Sequence, residues 1–533
     1  MMKRFLVLIC VVLLVRSRAG AHFVFVVPQS DLVTSKVIVS EDLQPDADVD
    51  IGIISKLKLV SADLKGNEMP LKLEKIDHAM AVDLSGIGTR IVHGSVELGV
   101  EQLDKSKPFL LVYFPKTILG DAFNPATHLK GDLPVELMAI GAPGKFHFQM
   151  LAAGKPVAAA EINLILPDHT HQKLIANAKG ETEDFTTPGR YGLWSRNVAV
   201  AAGERDGKKF EEIHRYATLV VDIPAGPVIT TFPSMPEPAS SFGAVACDGW
   251  LYLYGGHVVD THSYDTQSVS GRFSRLNLAN HQSWEPLPGG PALQGLNLAT
   301  WHGKIYRVGG MNPHNKPDQP EDVRSVADCA CFDPANQTWT KLPDMPEPRS
   351  SHDVVVVGNQ LIVIGGWTLK GDPDDAHWLD SVVTLDLAAA KPQWKSFKQP
   401  FERRAFIAAS YHGKAYVIGG FGDDSEPTKR VDIYDPATDR WTAGPQLPGG
   451  EINGFGAAAC IAGDRLYVSV ADGHLYELDE KDDEWVTIAR TMPRIVHRLV
   501  ANGSQILVIG GSAGKKQSAL IEAVQLPTAP VAH

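Results

Sequence analysis

The chain predicts an all-β protein, a ring of repeated four-stranded blades preceded by a β-sandwich region. Three observations carry that expectation. A glycine doublet ending a short apolar run returns five times, as Gly255-Gly256, Gly309-Gly310, Gly365-Gly366, Gly419-Gly420 and Gly510-Gly511, and a recurrence of about fifty residues is the spacing of one propeller blade. Upstream, β-like runs at 23–27, 37–40, 109–114, 161–166 and 217–223 are separated by Gly, Pro and Asp-rich turns, the pattern of one sandwich or two small ones in tandem. No segment there has a long helical period. The two patterns meet at Ile223-Pro224-Ala225-Gly226-Pro227, a Pro/Gly-rich joint of the kind that links domains. The expected division is therefore a sandwich region at 22–224 and a propeller at 225–533.

The first residues predict export. Met1-Met2-Lys3-Arg4 is a basic head, residues 5–15 are unbroken apolar, and Ala19-Gly20-Ala21 has the small-x-small form of a signal-peptidase site. Eleven apolar residues are too few to cross about 30 Å of hydrocarbon as a helix, which takes about 20. Residues 1–21 are thus expected to be a signal peptide, with His22 as the mature N-terminus, no transmembrane segment after cleavage, and a periplasmic, cell-surface or secreted destination; the alternative, with Arg16 and Arg18 close to the cut, is an uncleaved anchor.

Composition narrows the partners. The chain has 533 residues, 44% apolar and 21% charged, with a formal charge of -12; this argues for two globular units and against a nucleic-acid surface. Four cysteines follow the predicted signal, Cys247, Cys329, Cys331 and Cys460, too few to staple a fold of this size. They are expected to pack as thiols.

In the first unit, residues 151–164 read as a hairpin, with a Gly154-Lys155-Pro156 turn entering an alternating strand. This is similar to the opening of prealbumin-like sandwich modules. Together with Ala21-His22-Phe23, residues 109–116, Pro188-Gly189-Arg190-Tyr191-Gly192 and Arg215-Tyr216-Ala217-Thr218-Leu219, it makes residues 21–223 resemble an exported bacterial domain family of unknown function. Some members of that family are linked to nickel or cobalt uptake, and many carry an early histidine like His22. The resemblance implies a metal question. After cleavage His22 would offer an α-amino group and an imidazole, a chelating pair suited to copper or nickel. His93 and His214 are the chosen further ligands, out of a pool with His128, His147, His169 and His171. The alternative is that all are ordinary surface or strand histidines, since no tight ligand spacing appears. One departure bears on His214: the family places its histidine directly before the tyrosine, whereas here Arg215 intervenes before Tyr216.

The second unit folds onto itself as six blades with central stretches at 250–256, 304–310, 360–366, 414–420, 465–469 and 505–511. The fifth lacks the doublet and carries Val468-Ser469-Val470, with Ala471-Asp472-Gly473-His474 as its turn. The fourth is the best formed: Ala415-Tyr416-Val417-Ile418-Gly419-Gly420, then Val431-Asp432-Ile433-Tyr434-Asp435-Pro436, then Trp441. It resembles the kelch repeat, and the second blade echoes it with Phe332-Asp333-Pro334 and Trp339. After the last doublet the chain offers one more strand, at 519–526, and no tryptophan strand. Residues 230–238 echo residues 340–348 and put Ile229 in register with Trp339, so a strand from the start of the unit is expected to complete the last blade and remove its open edges.

Sixteen positions before the doublet stand Arg349, Arg403 and Arg494, and three residues after each come His352, Phe406 and His497. These six predict a basic, partly aromatic channel mouth suited to an acidic sugar or a carboxylate side chain. The alternative is an arginine that packs the repeat and is satisfied by backbone carbonyls. The kelch resemblance also implies catalytic precedents. Sialic-acid epimerases share the six-blade form, and galactose oxidase-like proteins hold copper beside a cysteine-linked tyrosine; no cysteine here is placed by motif beside such a tyrosine. The leading expectation is an exported, non-catalytic recognition protein for a protein or carbohydrate ligand. The alternatives are a carbohydrate-acting enzyme at the mouth, or copper or nickel binding through His22.

Overall fold

A computed structural model describes residues 22–29, 34–84, 89–103, 106–129, 131–280 and 282–526. The expected signal peptide lies outside these residues. Among them the regular structure is strand, relieved only by short 3-10 turns, and no helix is long and apolar enough to cross a membrane.

The first unit is built around one eight-stranded sheet. Its order is His171–Ile175, Glu161–Ile165, Gly189–Arg205, Lys208–Ile223, Phe109–Leu119, Arg90–Glu101, Lys58–Asp63 and Glu68–Pro70. The central pair, Lys208–Ile223 with Phe109–Leu119, is parallel. Side chains alternate across a strand, and along Phe109–Leu119 the residues Leu110, Val112, Phe114 and Ile118 enter one core while Tyr113 and Leu119 enter another. The first core lies against the sheet formed by Val135–Ala142 and Lys145–Ala152. The second lies against the sheet of Phe23–Pro28, Thr34–Ser40, Ala79–Asp83 and Leu73–Ile76. The region is thus three-layered, with two sandwiches sharing a middle sheet rather than standing in tandem. Burial on both faces explains why its central strands read as near-continuous apolar runs.

The second unit is a closed ring of six four-stranded sheets. Blade four runs Ile407–Tyr411, Lys414–Ile418, Val431–Asp435 and Arg440–Gly444, and blade five Ala458–Ala462, Arg465–Ser469, His474–Asp479 and Glu484–Arg490. In blade six, Arg498–Asn502, Gln505–Ile509 and Ile521–Gln525 are completed by Val228–Phe232, which pairs antiparallel with Ile521–Gln525.

The glycine doublets are the seams between blades. In each, the second glycine donates its N–H to a carbonyl at the entrance of the next blade: Gly256 to Leu293, Gly310 to Arg349, Gly366 to Arg403, Gly420 to Gly454, and Gly511 to Ala239, at 2.6 to 3.0 Å. Both residues of Gly419-Gly420 are left-handed, with φ +68 and +116, and a Cβ on Gly419 would lie 2.4 Å from the carbonyl oxygen of Gly454. Only glycine tolerates both the dihedral and the approach. Outer-strand tryptophans tie blades one, two, three and five to the one before. The indole N–H groups of Trp284, Trp339, Trp394 and Trp485 donate to the carbonyls of Ser234, Pro288, Pro343 and Pro445, at 2.7 to 2.9 Å.

Candidate functional site

Where the inner strands begin, six residues join in a ring across the blades. Ser241, Gly295, Ser351, Ala405, Gly456 and Val496, one per blade, all take left-handed φ values between +47 and +63. Each donates its N–H to the carbonyl of the member before it, and Ser241 donates to Val496, so six bonds of 2.7 to 3.0 Å form a continuous circle. A positive φ is costly for a β-branched residue such as Val496, and it persists here because both ring bonds hold it. A cavity of about 40 Å³ is lined by the circle together with His352, Phe406 and Arg498.

The expected basic mouth is not built from the six residues chosen for it, because their polar groups face inward. Arg349, Arg403 and Arg494 are 0%, 3% and 2% exposed. Each directs Nη1 at two carbonyls: Gly365 and Ser381 for Arg349, Gly419 and Arg430 for Arg403, Gly510 and Leu520 for Arg494, at 2.8 to 3.2 Å. Nη2 meets the Ser381 hydroxyl, the Asp432 carboxylate and the Glu522 carboxylate respectively. The first carbonyl of each pair belongs to the doublet of the same blade, so the arginine clamps the seam. His352 and His497 are buried beneath the circle, and burial, followed by Arg349 for the first and Arg494 for the second, pushes both down to about 3. They are neutral packing groups, as is Phe406 against Ile364 and Val417.

The next residue, Arg404, is a cation with no acid beside it among the described residues. It stands one position outside the circle and pairs with Phe421 across a short ladder. Its guanidinium carbon lies 4.1 Å from the ring centroid of Trp367, 4.8 Å from Phe421 and 5.4 Å from Trp378. Among the described residues it makes no ion pair or side-chain hydrogen bond, and its buried Nε has no partner. Desolvation brings Arg404 down to about 10, still well above neutral pH. The same outward position in blade two is Gln294, 4% exposed, whose Nε2 is also unpartnered, as is Nε1 of Trp367. Buried donors are normally satisfied, so three lone donors on the outward positions and loops of neighbouring blades suit an anionic or acceptor-rich group. Aromatic faces around a cation add cation–π stabilisation of about 1 kcal/mol without neutralising it.

Arg404 stands outside the recurrence that marks Arg349, Arg403 and Arg494. Arginines that recur in register hold the scaffold, and the one that does not recur is unpaired. Its signal was the Arg403-Arg404 doublet, with a second arginine in one blade only.

The histidines of the first unit are not gathered. His22 bonds Asp46 at 2.7 Å, and its carbonyl accepts from the Tyr113 hydroxyl at 2.9 Å. His93 lies 3.4 Å from Glu68. His214 stacks on Phe109 at 3.8 Å and meets Glu212 at 3.2 Å. In the ladders His93 is opposite Lys116 and His214 opposite Leu111 of the same strand, which sets them about 16 Å apart along it. No group of three or more His, Cys, Asp or Glu suited to a metal occurs among the described residues. The copper or nickel set of His22, His93 and His214 is therefore not assembled.

The two units meet on blade five. Asp121 accepts from the N–H and hydroxyl of Thr487 at 3.0 and 2.7 Å. Glu484 accepts from the N–H and hydroxyl of Thr89, and His474 Nε2 meets the Gly141 carbonyl at 2.9 Å. Beside this contact opens a cleft of about 1040 Å³, lined by Lys65, Asn124 and His128 on one side and Gln446, Asp472 and Trp485 on the other.

Comparison with known proteins covers the ring. A family profile described as KLHDC2/KLHL20/DRC7 Kelch-repeats domain matches residues 344–511, and the Kelch motif matches residues 294–346. Kelch repeat and BTB domain-containing protein 12 of Homo sapiens is 28% identical over 290 residues, 49% of this chain and 45% of the relative. Kelch-like protein 35 of Mus musculus is 24% identical over 233 residues, 43% of this chain and 35% of the relative. The chain thus spans less than half the length of these curated relatives. A solved structure titled "Structure of YjhT" aligns with 56% of this chain and 98% of its own at 15% identity and a TM-score of 0.45. Doublet seams, outer tryptophans and the two profiles agree: residues 294–511 carry kelch repeats, and the second unit is a β-propeller.

Proposed function

We propose that this chain is an exported, non-catalytic recognition protein whose propeller binds a protein ligand at the mouth carrying Arg404, by way of an acidic side chain. One observation supports this above the rest. Arg404 is a cation held in an aromatic sleeve with no acid of its own. A carboxylate from a ligand would supply the missing partner, with the strength of a charge-assisted bond in a partly dry site.

A non-catalytic reading is supported by how the other candidates are engaged. The recurring arginines clamp seams, and His352 and His497 are buried and neutral. General acid–base work needs a titratable group within reach of a substrate. The test uses an array of random peptides matched with copies in which Glu and Asp are replaced by Gln and Asn. The protein should retain acidic peptides preferentially, and Arg404→Gln should remove that preference. Equal retention of both sets would defeat the proposal, and turnover of a sugar acid lost in Arg404→Gln would replace it with the enzymatic reading.

A further inference from the structure

The hairpin formed by Gly189–Arg205 and Lys208–Ile223 outruns its neighbours. Asp206 and Gly207, with φ +49 and +76, form its tight turn. On its other side, the first strand is paired with Glu161–Ile165 only from Gly192 to Ser195. From Arg196 onward that edge has no strand partner among the described residues, and no loop accepts or donates a backbone bond there. The outward-facing alternate residues are Arg196, Val198, Val200, Ala202 and Glu204, with Val198 at 43% and Val200 at 86% exposure. Between Arg196 and Glu204 there is no charge and no proline. Natural sheets usually blunt an open edge with one of those devices. Here the only one is a bulge between Val200 and Gly203.

We propose that two copies of this chain pair along this edge, antiparallel and centred on Val200, joining their eight-stranded sheets across a two-fold axis. Charge complementarity selects both the occupant and the register. Antiparallel pairing about Val200 sets Val200 opposite Val200 and Val198 opposite Ala202, and it brings Arg196 opposite the second copy's Glu204, twice by symmetry. Neighbouring registers lose this match. Moving the axis to Ala201 sets Val198 against Glu204 and leaves Arg196 opposite Asp206 of the turn, beyond the end of the strand, moving it to Ala199 sets Glu204 against Trp194, and a half-residue shift toward Ala201 sets Arg196 against Arg205. The strand is therefore self-complementary in one register, which an edge meant for an unrelated strand has no reason to be.

The test is sedimentation equilibrium of the full chain across micromolar concentrations, with thermal melts as a folding control. The wild type should dimerise. Val200→Lys, which sets two ammonium groups against each other on the axis, should be monomeric with an unchanged melt. Arg196→Glu should weaken the dimer by about tenfold, and Arg196→Glu combined with Glu204→Arg should restore it. A monomeric wild type overturns the proposal, as does a dimer indifferent to Val200→Lys. A double variant no tighter than Arg196→Glu overturns the register.

Discussion

Blade four and blade five are neighbours built to one plan, and they differ at the places where blade five touches something other than a blade. Blade four keeps the doublet, and no residue of its outer strand Arg440–Gly444 is buried. Blade five has Val470-Ala471 in the doublet's place, and in its outer strand Glu484–Arg490 the residues Trp485, Thr487, Ile488 and Ala489 are all buried. A single glycine, Gly473 at φ +90, makes the close approach, 2.4 Å from its would-be Cβ to the Thr491 carbonyl. The loop this frees carries His474, held by Asp472, to the Gly141 carbonyl of the first unit. In a repeat protein each unit answers mainly to its neighbours. The pattern holds where blades meet only blades and yields where one blade acquires a second partner.

The largest test of that contrast is Arg403→Ala in blade four. The change removes two carbonyl bonds at the seam and leaves the buried carboxylate of Asp432 with only Arg430, at a cost of about 3 kcal/mol. Denaturant titration of the intact protein should show it. At the matching position blade five has Gly454, whose would-be Cβ lies 1.8 Å from the Thr428 carbonyl, so no arginine fits there. A loss below about 1 kcal/mol in Arg403→Ala would mean that the seams do not depend on their clamps.

Blade five offers a smaller effect of a different kind. Thr487→Val removes the hydroxyl that donates to the buried Asp121 and should cost about 1–2 kcal/mol. Its readout is the junction: proteolysis near residues 223–227 should speed up while the ring stays resistant. Equal protection in both proteins would show that the polar contact does not hold the two units together.

Acid should act at the same place. Burial raises Asp472, but bonds from His474 and Asn453 outweigh it and bring the carboxyl down to about 2, from an ordinary 3.8. A depressed carboxylate stabilises the fold above its ordinary value and loses that contribution as pH falls through the depressed one. Docking should therefore weaken between about pH 4 and pH 2, and Asp472→Asn should flatten the dependence in a pH series of melts. A variant with the same acid slope as the wild type would assign the transition to other carboxyls.

Recurrence made the ring readable. The doublets, the outer tryptophans and the missing last strand all follow from one period, and the echo of residues 230–238 in 340–348 pointed to the strand Val228–Phe232 that closes blade six. The first unit has no period to read. Its middle sheet is buried on both faces, so Phe109–Leu119 and Lys208–Ile223 lose the alternation that would have told one face from the other, and the third layer stayed hidden. The site was misread for the opposite reason. Period located Arg349, Arg403 and Arg494, but a residue that recurs in register in blades three, four and six serves the blades themselves.

Arg404→Gln gives the smallest effect on stability and the sharpest contrast with its neighbour. Burying a charge without a partner is unfavourable, and the aromatic contacts of Arg404 with Trp367, Phe421 and Trp378 return only part of that cost. Replacing it with a neutral side chain of similar reach should shift stability by less than about 0.5 kcal/mol, and in either direction. Adjacent arginines, one removed at a cost of several kcal/mol and the other at almost none, would separate scaffold from site within a single dipeptide. A melt of Arg404→Gln as depressed as that of Arg403→Ala would make Arg404 a second clamp, and the mouth would then have no unpaired cation to offer a ligand.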